Sequence, residues 1–275
     1  MTERTALVTG CSSGFGLGIA QALVARGWTV FAGVRDPARA PAQLAGARVV
    51  PLDLADDAQI AAAAARVDRL DCLVNNAGFA LNGPFASYSA EQMRHQMQVN
   101  VLGPALLTQQ LLPALASARG RVINVSSVAG ELGLPMNALY CATKFALEGL
   151  SESLRHELAA HGVQVALVEP GGYRTAFARN MVWGERPLPA GGRDARQLAA
   201  YRRMQEKLLA RPGKDPAAVV RAVLELAEME TMPMRTRVGT DARSASFVRR
   251  WLPQKLALGL VGALFRRKLA TESSE

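Results

Sequence analysis

The chain has 275 residues, 49% hydrophobic and 20% charged, with 32 Lys and Arg against 23 Asp and Glu for a formal net charge of +9. That apolar content excludes a disordered chain and suffices for one buried sheet covered by helices. Three scattered cysteines, Cys11, Cys72 and Cys141, exclude a disulfide framework and are expected as free thiols in a reducing cytoplasm. His95, His156 and His161 lack metal-ligand spacing, so no metal site is expected.

Met1–Thr5 leads directly into an apolar strand, Ala6-Leu7-Val8, so no cleavable signal peptide is expected. The turn Thr9-Gly10-Cys11-Ser12-Ser13-Gly14-Phe15-Gly16 follows, and a helical pattern then runs from Leu17 to Ala25 and stops near Gly27. Strand, glycine-rich turn and helix together aim backbone N–H groups and a helix N-terminus at a pyrophosphate. The spacing is Gly-x3-Gly-x-Gly rather than the commoner Gly-x-Gly-x-x-Gly.

Further apolar runs read as strands at Thr29–Ala32, Arg48–Val50, Asp71–Asn75, Val122–Val125 and Val163–Val168. Helical stretches separate them, including Ala55–Ala65, Glu91–Ala116 and Ala138–Ala160. The alternation predicts an α/β fold: a Rossmann-type, doubly wound parallel sheet flanked by helices, as a single domain with a helical C-terminal extension. In Asn137–Glu148, Tyr140 and Lys144 stand at i and i+4 on one helix face. A lysine ammonium beside a phenol favours the phenolate and is expected to move its pKa down from about 10. Ser127 ends the strand that precedes this helix and could bond the same substrate oxygen.

Thr9-Gly10-x3-Gly14-x-Gly16, Asp53, Asn75-Asn76-Ala77-Gly78, Asn100, Ser127, Tyr140-x3-Lys144 and Pro170-Gly171 occur in this order. The ordered set resembles the short-chain dehydrogenase/reductase family in its single-domain form, over about residues 4–175. The resemblance implies that Tyr140 is the acid/base and that Ser127 orients the carbonyl. It implies that Lys144 holds the nicotinamide ribose and tunes Tyr140, and that Asn100 supports a water relaying protons to Lys144. It further implies that a nicotinamide dinucleotide lies against Gly10, Ser12, Ser13, Gly14, Phe15, Gly16, Arg35, Asp53, Leu54, Asn76, Ala77, Gly78, Tyr140, Lys144, Pro170, Gly171, Tyr173 and Thr175. The position that bears aspartate in NAD-preferring members falls on Val34, with Arg35 next, so NADP(H) is the expected cofactor and NAD(H) the second choice. Asp36 reverses that choice if the strand ends one residue later.

A substrate lid is expected at about 176–214, within a domain spanning 1–240, with a basic amphipathic extension at 241–275. Phe79, Leu134, Phe177 and Met181, together with Ser127 and Tyr140, are the expected substrate contacts; Ala80, Leu81, Val182, Trp183, Leu188 and Met204 would add apolar lining. The loop wording resembles the steroid- and retinol-active branch, which implies a hydrophobic alcohol or ketone. Residues 1–173 hold 12 bases and 13 acids, and residues 174–275 hold 20 and 10, so the excess charge lies in the last third. Between Asp241 and Glu272 no acid interrupts Arg243, Arg249, Arg250, Lys255, Arg266, Arg267 and Lys268. Such a tail suits either packing on the body or peripheral contact with an anionic membrane; Leu256–Phe265 is too short to span one. No nucleic-acid motif or aromatic platform accompanies the charge. Apolar residues on several faces of Glu91–Ala116 and Ala138–Ala160 point to a homodimer or homotetramer. The sequence therefore reads as an oxidoreductase of a hydroxyl/carbonyl pair, the alternative being a non-catalytic cofactor-binding sensor or scaffold.

Overall fold

The computed structural model describes residues 3–173, 177, 181–210 and 213–273, without the side chains of 270–273. Its strands are β1 (Thr5–Thr9), β2 (Thr29–Val34), β3 (Arg48–Pro51), β4 (Cys72–Asn75), β5 (Leu81–Asn82), β6 (Arg121–Val125), β7 (Gln164–Pro170), β8 (Val182–Trp183) and β9 (Arg235–Val238). Seven of them form one parallel sheet in the order β3-β2-β1-β4-β6-β7-β9, and β5 pairs separately with β8. The order reverses between β1 and β4, and such a switch opens a ligand crevice at the carboxyl ends of the strands.

Period-two alternation divides the sheet side chains between two cores. Ala6, Val8, Val30, Ala32, Cys72, Val74, Ile123 and Val168 face α1 (Gly14–Val24) and a later helix, Ala217–Glu228. Leu7, Phe31, Leu73, Val122 and Val165 face α2 (Asp57–Ala64) and the helices between β5 and β7. The doubly wound expectation therefore holds. The strand Arg235–Val238 was not legible: Arg-Thr-Arg-Val carries no apolar run, and its pairing with β7 supplies the register.

Helix α1 starts at Gly14, three residues before the expected Leu17, because Ser13 is extended and chain direction changes at Gly14, whose φ is 60°. The stretch expected as one helix at Glu91–Ala116 is interrupted twice. Helix α3 (Ala90–Met97) passes through a π turn, Gln98–Leu102, into α4 (Gly103–Gln110). The axis then bends by 57° into α5 (Leu112–Ala118), where Pro113 cannot donate to the preceding turn. Helix α6 (Ala138–Ala159) matches its expected span.

The apolar surplus on these helices is mostly covered by the chain itself. Leu107, Leu111 and Leu147 are buried, and Met93, Met97, Leu106, Leu112, Leu150 and Leu154 are partly so. Phe145 at 41% and Leu102 at 54% remain exposed. After β8 come α7 (Arg193–Ala210), α8 (Ala217–Glu228), α9 (Thr240–Trp251) and α10 (Gln254–Ser273). The last of these packs on α7.

Candidate active site

At the carboxyl end of β1, the glycine turn is locked to the loop after β4. The Thr9 hydroxyl accepts from the Asn76 and Ala77 N–H groups at 3.0 and 2.9 Å, and the Asn76 amide donates to Thr9 O at 2.9 Å. A Cβ on Gly16 would stand 2.3 Å from the Gly10 carbonyl, so the turn and helix meet this closely only without side chains. Gly10, with a φ of 72°, packs on Ala77 in the same way. Ser13 occupies the N-cap position of α1 without a side-chain bond to the first turn. The uncapped amides and the exposed Ser12 hydroxyl therefore form a donor cradle that fits a dinucleotide pyrophosphate. The rings of Phe15 and Tyr173 meet edge to face at 5.7 Å across this turn.

Strand β2 ends at the buried Val34, and Arg35 beyond it is exposed. Asp36 turns away: its carboxylate accepts from Ala38 N–H at 3.0 Å and caps the short turn Pro37–Arg39. Asp53 is partly exposed with one oxygen bonded to Ala55 N–H at 2.9 Å, while Leu54 beside it is buried. Asp56 caps α2.

Ser127, Tyr140 and Lys144 converge at the carboxyl end of β6. The Ser127 hydroxyl accepts from Ala129 N–H at 3.1 Å and faces the Tyr140 phenol. Lys144 is buried, its ammonium donating to the Val125 carbonyl at 2.8 Å and lying 5.8 Å from the Tyr140 ring centre. Burial pushes the phenol up to about 12, with the Ser127 bond drawing it back. Burial also brings Lys144 down to about 8, with Glu148 one turn away opposing. Among the protein's own groups, the expected lowering of Tyr140 by Lys144 is thus overturned: desolvation outweighs an ammonium already engaged with a carbonyl.

Asn100, 1% exposed, sits in the π turn. Its side chain accepts from Phe79 N–H at 3.0 Å and donates to Phe79 O at 2.9 Å and Thr143 Oγ1 at 3.1 Å. Thr143 donates to the Tyr140 carbonyl at 2.7 Å, which ties the π turn to the catalytic helix. A π turn inserts a residue into the helical ladder, and such insertions recur at functional sites.

Behind Lys144 lies a charged cluster that sequence reasoning missed. Arg235 Nε stands 3.0 Å from Glu148 and 3.1 Å from Glu169, and Arg237 Nε stands 3.1 Å from Glu169. Arg237 also pairs with Glu131 at 2.5 Å. Burial and the neighbouring carboxylates Glu148 and Glu131 push Glu169 up to about 8. The signal was the alternation Arg235-x-Arg237, but it gains meaning only from the strand pairing.

Pro170 ends β7, and the loop beyond it is pinned from the tail. Asp241 accepts from Gly172 N–H at 2.7 Å, pairs with Lys214 and packs so closely on Gly171 that a Cβ there would overlap its carboxylate. The boundary expected at 240/241 therefore falls on a residue bonded into the site. Thr175 lies outside the described residues. Phe177 faces Tyr140 with ring centres 5.8 Å apart. Leu134 N–H donates to Cys141 Sγ at 3.2 Å, so Cys141 holds this loop as a packed thiol. Phe79 turns its ring toward His95 at 5.3 Å, and Met181 is partly buried just before the lid strand. Leu188 faces a groove of about 310 Å³ with Arg186, Leu198 and Arg202, a place distinct from the catalytic residues. Gln92, also unforeseen, donates to Trp183 O at 2.9 Å and fastens the lid strand to α3.

The short chain dehydrogenase family model matches residues 4–185, and the chain belongs to this family. The 3-ketodihydrosphingosine reductase of Bacteroides thetaiotaomicron is 32% identical over 93% of this chain and 96% of its own length. Human 17-beta-hydroxysteroid dehydrogenase type 1 is 39% identical over 66% of this chain and 60% of its own. Among solved structures, a short chain dehydrogenase from Burkholderia cenocepacia in complex with NADP is 29% identical, with a TM-score of 0.78 over 94% of this chain and 97% of the other. A Burkholderia phymatum family member in complex with NAD is 26% identical, with a TM-score of 0.73 over 90% and 92% of the two chains. The protein is thus an oxidoreductase-family chain whose relatives bind nicotinamide dinucleotides.

Proposed function

We propose that the chain is an NADP(H)-dependent oxidoreductase interconverting a hydroxyl and a carbonyl on a hydrophobic small molecule. The observation that carries this reading is the convergence of Ser127, Tyr140 and buried Lys144 beside the uncapped N-terminus of α1. Bound nicotinamide would supply or accept the hydride. Gly10, Ser12, Ser13 and the first turn of α1 would hold the pyrophosphate, Asp53 the adenine side, and Lys144 the nicotinamide ribose. Ser127 orients the substrate oxygen, and Tyr140 gives it a proton or takes one from it. A phenol held up to about 12 is protonated throughout the neutral range, which favours its service as an acid, in carbonyl reduction.

NADP(H) over NAD(H) is supported by the second-strand end. Val34 is buried, Asp36 is committed to its cap, and Arg35 is the exposed charge left to meet a 2′-phosphate. For the substrate, Phe177 against Tyr140 and the apolar lid favour a lipid-like ketone, and two relatives carry names of that kind. Exposed Leu102 and Phe145 are the apolar pair across which the chain would form its two-fold dimer, a point light scattering tests. Three buried, unpaired thiols agree with a reducing, cytoplasmic setting.

The test follows NADPH absorbance over a panel of long-chain and steroid ketones, for the wild type and Tyr140→Phe. Turnover by the wild type, lost in Tyr140→Phe with NADPH still bound, is the expected result. A wild type that binds NADPH and consumes none of it across the panel would instead favour the non-catalytic scaffold.

A further inference from the structure

Half of the exposed large hydrophobic side chains among the described residues lie between Phe247 and Leu264. The tail helix α10 carries two apolar stripes at i+4 spacing. One stripe, Ala257–Val261–Phe265–Leu269, turns inward: Leu269 and Phe265 pack with Ala200 and Tyr201 of the lid helix. The other, Leu256–Leu260–Leu264, is turned outward, with exposures of 59%, 43% and 50%. At the end of α9, Phe247 and Trp251 continue this outer surface, exposed at 63% and 67% with ring centres 6.5 Å apart. A helix that only packs on the body needs a single apolar stripe.

The charges around this surface identify what would cover it. Arg243, Phe247, Arg250 and Trp251 share one face of α9 by three- and four-residue spacing. Lys255 and Arg266 lie on α10 about a third of a turn around the helix from the outer leucines. All four of these bases are exposed, and no acid interrupts the segment from Ala242 to Thr271. Apolar side chains flanked by bases, with an aromatic pair at the rim, match the headgroup boundary of an anionic bilayer. Among the described residues no single helix is long and apolar enough to cross a membrane, so this face can lie on a bilayer rather than pass through one.

We propose that α9 and the outer stripe of α10 form a docking face for an anionic membrane surface. The inner stripe of the same helix rests on the lid helix, whose Tyr201 accepts from Asn137 at 3.0 Å just ahead of α6. Contact with lipid is thereby communicated to the wall of the substrate site. The proposal is independent of which ketone the enzyme reduces.

Trp251 reports on it directly, because Trp28 is buried and Trp183 is stacked under Arg202. With the full chain, phosphatidylcholine vesicles carrying phosphatidylglycerol should shift Trp251 emission to the blue and sediment the protein, and the shift should vanish in Trp251→Phe. Arg243→Gln/Arg250→Gln/Lys255→Gln should weaken vesicle binding about a hundredfold, following from roughly 1 kcal/mol per surface base. Leu256→Glu/Leu260→Glu/Leu264→Glu should abolish sedimentation while NADPH binding, measured alongside, is retained. A wild type that stays in the supernatant with unshifted Trp251 emission overturns the proposal, whatever the variants do. So does a leucine variant that still sediments. If instead the leucine variant converts a dimer to a monomer in light scattering and the wild type ignores vesicles, a second copy covers the face and the lipid assignment is wrong.

Discussion

Around the glycine turn, buried polar bonds join residues far apart in the chain. Thr9 holds Asn76 and Ala77, Asn100 holds Phe79 and Thr143, and the Asn75 amide donates to Thr108 at 3.1 Å and Asn124 at 2.9 Å. In the lid and tail, rings and a small apolar cluster of Ala200, Tyr201 and Leu269 stand beside hydrogen bonds such as Gln92 to Trp183 O and Asn137 to the Tyr201 hydroxyl. Directional bonds in a low-dielectric core fix geometry closely, whereas ring contacts can repack. On the proposed reading, the proton-transfer residues sit on a frame fixed by buried polar bonds and the substrate contacts on segments held more by packing. Exchanging lid residues should change which ketone is accepted and leave the proton-transfer geometry alone.

The largest effect should come from Lys144→Met, which removes the buried ammonium next to the phenol. Turnover should fall by about 10²–10⁴-fold, the usual worth of positioned acid–base groups. In the wild type, ketone reduction should hold below pH about 8 and decline above it as Lys144 loses its proton. A wild-type rate that stays level well above that pH would break the link to Lys144. Next is Thr9→Val, which leaves two loop amides without an acceptor and should cost about 2–4 kcal/mol in urea denaturation. A loss well under 1 kcal/mol would mean that the frame is softer than its bonding implies.

Arg35→Ala should weaken NADPH binding by about 1–3 kcal/mol and leave NADH almost unchanged, as a titration with each cofactor would reveal. Equal losses for both would reverse the cofactor assignment. The smallest effect concerns the charged cluster, where the two regions meet through β9. Glu169 is raised in the folded state from its ordinary 4.5 to about 8, so the native protein favours its protonated form. That contribution to stability is fully present below the unfolded value and is lost as pH rises through about 8. Melting temperature should accordingly slope downward across this window, and Glu169→Gln should flatten the slope. An unchanged slope in the variant would assign the pH dependence to other groups.

The sheet, the glycine turn and the Ser127–Tyr140–Lys144 set were legible because each rests on local periodicity or short spacing. Other features depend on partners that spacing does not reveal. Arg235 and Arg237 counted only toward the basic excess of residues 174–275, yet they lie against buried glutamates once β9 pairs with β7. Asp241 opened the expected C-terminal extension, and only the structure shows its carboxylate accepting from Gly172 N–H in the loop after β7. The tyrosine environment was misjudged because the helix pattern reveals a neighbouring lysine but not that its ammonium is buried and bonded to the Val125 carbonyl.

The π turn at Gln98–Leu102 has a consequence for how this helix can vary. Each residue of an α-helix advances the chain by about 100° around its axis, so one inserted residue rotates everything after it by that angle. Upstream of the turn the helix directs Gln96 to the Phe79 carbonyl at 2.9 Å; downstream it seats Leu107 in the core under the sheet. Deleting any one residue of the turn would restore an even ladder and swing one half of the helix away from its neighbours. Here the length of the segment is constrained more tightly than its spelling, because an insertion or deletion would put the two halves out of phase.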